Sequence, residues 1–149
     1  MKKQVLIIGG GAAGLTAAIW AARSGAAVTV LEHMDRVGKK ILSTGNGRCN
    51  LTNAKMDKSC YYCTEPDFPM EAIRQFGWKE TLRWFSSMGV LCKNRMETYY
   101  YPVSDQASSV LDALVLELKA LGVRVETGCV VRKTGRQEQV QSREPSWKP

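Results

Sequence analysis

Apolar residues fall along this chain in two alternating patterns, short unbroken runs and stretches with helical spacing. Val5 to Ile8 is wholly apolar and stops at Gly9, which predicts a short strand. Ala12 to Ser24 is rich in alanine with bulkier apolar residues at helical spacing, which predicts a helix ending at Gly25. Ala26 to Leu31 is again a nearly continuous apolar run and predicts a second parallel strand. From His33 to Asn53 the pattern dissolves into a long polar loop punctuated by Gly38, Gly45 and Gly47. Helical spacing returns over Pro69 to Phe76 and Lys79 to Met88, with Gly77 and Gly89 as breaks, and places Phe76, Leu82, Trp84, Phe85 and Met88 in a core. Pro102-Val-Ser104 then introduces a helix, with Ser104 as the expected N-cap and Asp105 favourable to its dipole. Its buried stripe is Val110, Leu111, Leu114, Leu118 and Leu121. Gly122 ends that helix, and Val123 to Val131 predicts a further strand. Strands alternating with helices mean an α/β fold on a parallel sheet, Rossmann-like, with a helical insertion spanning 55–95 between the second and third parallel strands.

The first strand runs into Gly9-x-Gly11-x-x-Gly14, and Glu32 closes the second. Glycine-rich loops are common, but this one is preceded by a strand and followed by a helix and another strand, the context that makes it a dinucleotide fingerprint. Gly9 permits the tight turn, Gly11 lets backbone approach a pyrophosphate, and Gly14 lets helix and sheet pack closely. The helix opening at Ala12 aims unpaired N-H groups and its positive dipole end at the phosphates. Glu32 is placed to accept hydrogen bonds from an adenosine ribose and to repel a 2′-phosphate, which favours FAD or NAD over NADP.

In the loop after Glu32, Ser43, Thr44, Asn46 and Asn50 supply neutral hydrogen bonds and Lys39, Lys40 and Arg48 supply positive charge. Such a loop suits the ribityl chain, the pyrophosphate and the rim of a flavin; as a plain surface loop it would need only turn-forming residues.

Composition changes this picture little. Hydrophobic residues make up 44% of the 149, ordinary for one modest globular domain. No cleavable leader and no membrane-spanning run is visible, so a cytoplasmic protein away from the membrane is expected. The five cysteines, Cys49, Cys60, Cys63, Cys92 and Cys129, are odd in number and scattered, and read as free thiols rather than a disulfide framework. Cys60-x-x-Cys63 has redox spacing but lies outside a strand-to-helix setting, and no metal site is expected. Cys49 sits inside the loop, where a small residue filling a tight turn is the plain reading. The formal charge of +7 raises nucleic acid as a partner, but the basic residues are spread along the chain and no nucleic-acid motif surrounds Tyr99 to Tyr101, so none is expected.

The pairing of GGGAAGLTAAIWAARSGAAVTVLE with GKKILSTGNGRCNLTN, followed by YYYPVSDQASSVLDAL, resembles the BaiN/RdsA-like family of NAD(P)/FAD-dependent oxidoreductases, also met as aminoacetone-oxidase-family FAD-binding enzymes. The resemblance covers about the first 130 residues. It implies non-covalent FAD, with Gly9, Gly11, Ala12, Ala13, Gly14, Glu32 and His33 about the ADP half. Lys40, Thr44, Gly45, Gly47, Arg48, Cys49 and Asn50 would approach the remainder, and the Val131 backbone the adenine. It implies hydride transfer through flavin N5 between NAD(P)H and a small organic substrate, the cofactor carrying the chemistry. No catalytic acid or base is named, and the oligomeric state is open.

Members of that family are much longer. The expectation is therefore an N-terminal part of an FAD-binding domain over residues 1–133, followed from Thr134 by a polar, disordered or atypical tail. Two readings stay open: the cofactor-binding portion of an oxidoreductase, and a non-catalytic remnant that keeps only ADP-half recognition.

Overall fold

The computed structural model describes residues 1–62, 64–65 and 67–135. Cys63, and with it the Cys60-x-x-Cys63 motif, and the tail beyond residue 135 lie outside the described residues.

The first apolar run forms β1 (Gln4–Ile8), the alanine-rich stretch α1 (Ala12–Arg23) and the next run β2 (Ala27–Leu31). β1 and β2 pair in parallel from Gln4 opposite Ala27 to Ile8 opposite Leu31. The third parallel strand, β6 (Arg124–Glu126), pairs with the other side of β2, so β2 is the centre of a three-stranded sheet. The expected strand from Val123 to Val131 is thus only three residues long. The chain after Glu126 leaves the ladder and donates from Gly128 and Cys129 to the carbonyls of Met34 and Glu32.

One face of the sheet is packed. Val28 and Val30 are buried beneath α1, whose Leu15, Ala18 and Ile19 are fully buried, and Val5 and Ile7 pack against the same cluster. α5 (Ala107–Ala120) lies alongside α1, contributing Val110, Leu114 and Leu118 as the helical spacing predicts. On the opposite face Leu6 and Ile8 are 61% and 55% exposed.

The segment between β2 and β6 is more than a helical insertion. The glycine-punctuated loop contains a short helix, α2 (Lys39–Ser43), and the expected helices appear as α3 (Phe68–Gln75) and α4 (Trp78–Ser87). In addition β3 (Thr52–Asn53), β4 (Cys92–Arg95) and β5 (Tyr99–Pro102) form a small antiparallel sheet in the order β3-β5-β4. The β4-β5 turn escapes sequence reading because Met96 and Glu97 take positive φ, 51° and 67°, where glycine or asparagine is the usual signal. Of the helical residues expected in the core, Trp84 is buried and Phe85 and Met88 pack beside it. Phe76 is instead exposed, edge-on to Trp20 at 6.2 Å.

The start of α5 is also corrected. Its N-cap is Gln106; Ser104 Oγ accepts only a 3.3 Å hydrogen bond from the Gln106 amide, and Asp105 lies before the cap. Asp105 turns away because Lys93 and Arg95 hold its carboxylate from β4.

Candidate functional site

β1 and β2 end side by side, and a cavity opens beyond their carboxyl ends, where open α/β sheets bind ligands. Gly9 turns the chain at φ 99° while its amide donates to the Leu31 carbonyl at 2.8 Å. Gly14 lies so close to that turn that a Cβ would sit 1.8 Å from the Gly9 carbonyl oxygen. A Cβ on Gly11 would meet nothing within 4 Å: its open side faces a cavity. Gly10, which the fingerprint does not specify, is constrained as well, since a Cβ there would lie 2.5 Å from Val37.

α1 begins at this cavity with no side-chain cap and no acidic residue in its first turn, so its orphan N-H groups and dipole are unneutralised. That is the electrostatic signature of an anion site. The cavity is about 850 Å³, within the usual range for a ligand pocket. Gly9, Gly11, Ala12, Ala13 and Gly14 form one wall; Lys40, Thr44, Cys49 and Asn50 form another. Lys40 faces it, whereas the neighbouring Lys39 is committed to Asp35 at 2.5 Å.

Glu32 is buried at the end of β2. Its Oε2 accepts from the Gly10 amide at 2.6 Å, and its Oε1 from the Met34 amide at 2.8 Å, with His33 Nδ1 also 2.8 Å away. A carboxylate has about four acceptor positions, so one remains free, and the exposed His33 can yield another. The Met34 hydrogen bond and then that of Gly10 hold the Glu32 carboxyl below its ordinary 4.5, against the desolvation that would raise it.

A lowered folded value has a definite sign. The stabilisation from Glu32 is present above the unfolded value and is lost as pH falls through the folded one. Glu32→Gln should therefore cost about 1 to 2 kcal/mol at neutral pH, because an amide nitrogen would face one of the N-H donors. That difference in urea midpoint should shrink below about pH 4.5, where the wild-type carboxyl takes up its proton. A difference that stays constant through the acid range would remove the charged Glu32 from this account.

The loop of residues 44–50 is built on left-handed backbone. Gly45, Asn46, Gly47 and Cys49 have φ of 54°, 55°, 78° and 59°. Thr44 Oγ1 closes α2 onto the Ile41 carbonyl at 2.7 Å, and the Cys49 amide donates to the Thr44 carbonyl at 3.0 Å. Gly45 packs where a Cβ would approach the Tyr101 ring at 3.1 Å, so β5 supports the loop from beneath. Burial pushes the Cys49 thiol up, opposed by a hydrogen bond with Thr44, which keeps it a thiol and favours the turn-filling role over that of a nucleophile.

Of the expected site residues, Glu32 and His33 at the end of β2, Gly45, Gly47 and Arg48 in this loop, and Val131 beyond β6 do not line the cavity. The sequence reading missed Thr16, Ala17, Phe85, Val110 and Leu114, which also line the cavity, as do Ile8, Ile41 and Leu51. The first five belong to helices or their buried stripes, and nothing in helical spacing separates a core residue from one lining a cavity between two helices. Cys49, Cys60, Cys92 and Cys129 are free. Among the described residues no group of three or more metal-binding side chains is found, and no helix is long and apolar enough to cross a membrane.

The family model described as "HI0933-like protein Rossmann domain" matches residues 3–145. The chain belongs to this family, the BaiN/RdsA group of flavin-dependent oxidoreductases. Family membership agrees with the resemblance carried by the fingerprint and the GNGRCNLTN loop. A 3-dehydro-bile acid delta(4,6)-reductase of Clostridium scindens is 54% identical over 127 residues, 84% of this chain and 31% of that protein. A ribosomal RNA dihydrouridine synthase of Escherichia coli is 30% identical over 114 residues, 76% of this chain and 28% of that one. The chain thus spans about a third of the length of these curated relatives. In fold it is similar to a 3-ketosteroid-delta4-(5alpha)-dehydrogenase of Rhodococcus jostii solved with 4-androstene-3,17-dione, with a TM-score of 0.57 at 19% identity, covering 85% of this chain and 38% of that one.

Proposed function

We propose that this chain is the FAD-binding portion of a flavin-dependent reductase that adds hydrogen across a carbon–carbon double bond of a small organic substrate. The observation that carries the reading is the one cavity lined by the uncapped start of α1, the Gly11 opening and residues of the Lys40 to Asn50 segment. The first two of those features suit a pyrophosphate, and the third supplies neutral hydrogen-bonding groups suited to the rest of an FAD. The bile acid reductase, by far the more similar of the two curated relatives, is named for reduction at delta(4,6) of a small molecule, and the other is named for making dihydrouridine in ribosomal RNA.

In this reading the N-H groups of α1 and Lys40 receive the pyrophosphate, and Glu32 receives the adenosine ribose. The loop of residues 44–50 lies against the flavin, with Thr44, Cys49 and Asn50 toward it and Gly45, Gly47 and Arg48 behind. Bound FAD would supply hydride transfer through N5, with NAD(P)H as electron donor. The chain's own part is to bind, orient and shield. The role given to Val131, contact with adenine through its backbone, stays a proposal.

The bare sheet face at Leu6 and Ile8 favours a second reading, in which this polypeptide by itself holds the nucleotide without turnover. Both are tested by the visible spectrum of the purified chain with FAD, then with NADH or NADPH, then with a 3-oxo-Δ4 bile acid. Bound flavin that bleaches with nicotinamide and recovers its colour with the enone is the expected result for the reductase. Bound flavin that never bleaches would leave nucleotide holding alone, and failure to retain FAD would refute both.

A further inference from the structure

Asp105 lies outside the cavity, between β5 and α5, in the left-handed region at φ 56°. Its Oδ2 accepts from Lys93 Nζ at 2.5 Å and from Arg95 Nη2 at 2.7 Å. Its Oδ1 is buried and has no hydrogen-bond partner among the described residues. A buried carboxylate oxygen left bare is costly, and calls for a donor. Lys93 also reaches the Val103 carbonyl at 3.2 Å, and Arg95 lies over the Tyr101 ring, 5.9 Å from its centroid. Both cations are thus already committed on the Oδ2 side.

One cation nearby is uncommitted. The Arg48 side chain has no hydrogen-bond or ion-pair partner among the described residues, although its charge joins those of Lys93 and Arg95 in acting on Asp105. The chain next to each residue is already joined: the Ala107 amide donates to the Gly47 carbonyl at 2.8 Å. That backbone bond keeps the loop carrying Arg48 against the segment carrying Asp105.

We propose that Asp105 is a positioning residue for the flavin loop: its buried, unpartnered Oδ1 is the docking point for Arg48, and this contact fixes the 44–50 loop in the form that holds FAD. The proposal rests on the FAD reading above for its functional consequence. The contact itself is a property of the chain alone. Asp105 then gathers three cations, two that tie it to the β4-β5 hairpin and one that ties it to the loop. The hairpin also supports that loop through Tyr101 beneath Gly45. Arginine suits the task because its planar fork presents several fixed donors to a carboxylate.

The pairing is read first without flavin, from side-chain NMR of the full chain. In the wild type the Arg48 guanidinium should show slowed hydrogen exchange that is lost in Asp105→Asn and largely recovered in Asp105→Glu. The loop is then read by trypsin, which cuts after Arg48. Asp105→Asn should raise cleavage there about tenfold, leave cleavage after Arg23 unchanged, and weaken FAD binding by about tenfold, the scale of one charged hydrogen bond. Unprotected Arg48 in the wild type, or unchanged cleavage and FAD affinity in Asp105→Asn, would overturn the proposal. A wild type that shows the Arg48 protection but binds no FAD would uphold the contact and refute the cofactor reading. If Asp105→Asn raises cleavage after Arg23 as well, the variant has lost its fold, and Arg48→Gln, which leaves Asp105 and its two other cations in place, decides by the same FAD measurement.

Discussion

Gly14→Ala should leave no stably folded chain. The added methyl would stand 1.8 Å from the Gly9 carbonyl oxygen and 3.0 Å from its carbon, both backbone atoms of the turn that joins β1 to α1. No rotamer change relieves that collision, since neither partner is a side chain. α1 must then move off the sheet, and its fully buried Leu15 and Ile19 move with it. Overpacking in a core costs about 1 to 3 kcal/mol where side chains can shift, and a backbone collision lies at or beyond the top of that range. Urea denaturation followed by circular dichroism measures this directly. A midpoint within error of the wild type would mean that α1 does not need this close approach.

Gly11→Ala should fail in the opposite way, folding normally and losing FAD. A methyl there meets no atom within 4 Å, and the residue's φ of −83° is open to any amino acid. Alanine is a poorer N-cap than glycine, so a stability loss of less than about 1 kcal/mol is expected. The same methyl projects into the cavity in front of the α1 N-H groups, where the pyrophosphate must come closest. FAD affinity should fall by about 100-fold, equivalent to about 2.7 kcal/mol. Equilibrium dialysis or flavin fluorescence against the wild type reads the change. Unaltered affinity would place the dinucleotide elsewhere and remove the basis for the proposed function.

The contrast between these two glycines was legible from spacing alone, and so was the place of Glu32 at the end of β2. Each follows from a local pattern: a strand that stops at glycine, a helix that begins without a cap, and an acid at the end of the next strand. The helical stripe of α5 was legible for the same reason, since Val110, Leu114 and Leu118 repeat at the period of the helix and are buried together. The small sheet was not. β3 pairs with β5 between residues nearly fifty positions apart, Thr52 with Tyr100, and a two-residue strand carries no periodicity of its own. The hairpin turn at Met96 and Glu97 lacks the residues that would have announced it.

The amino-acid sequence by itself therefore determined the nucleotide cradle, because turn, helix start and strand end are set by residues within a few positions of one another. Tertiary structure alone decided what encloses and braces that cradle. It brought Phe85, Val110 and Leu114 to the cavity wall, set Tyr101 under Gly45, and left Asp105 with one oxygen bare. These contacts join segments that share no local pattern. They arise when separate apolar faces are buried together, and the polar groups carried along must then find partners in whatever surroundings burial has made.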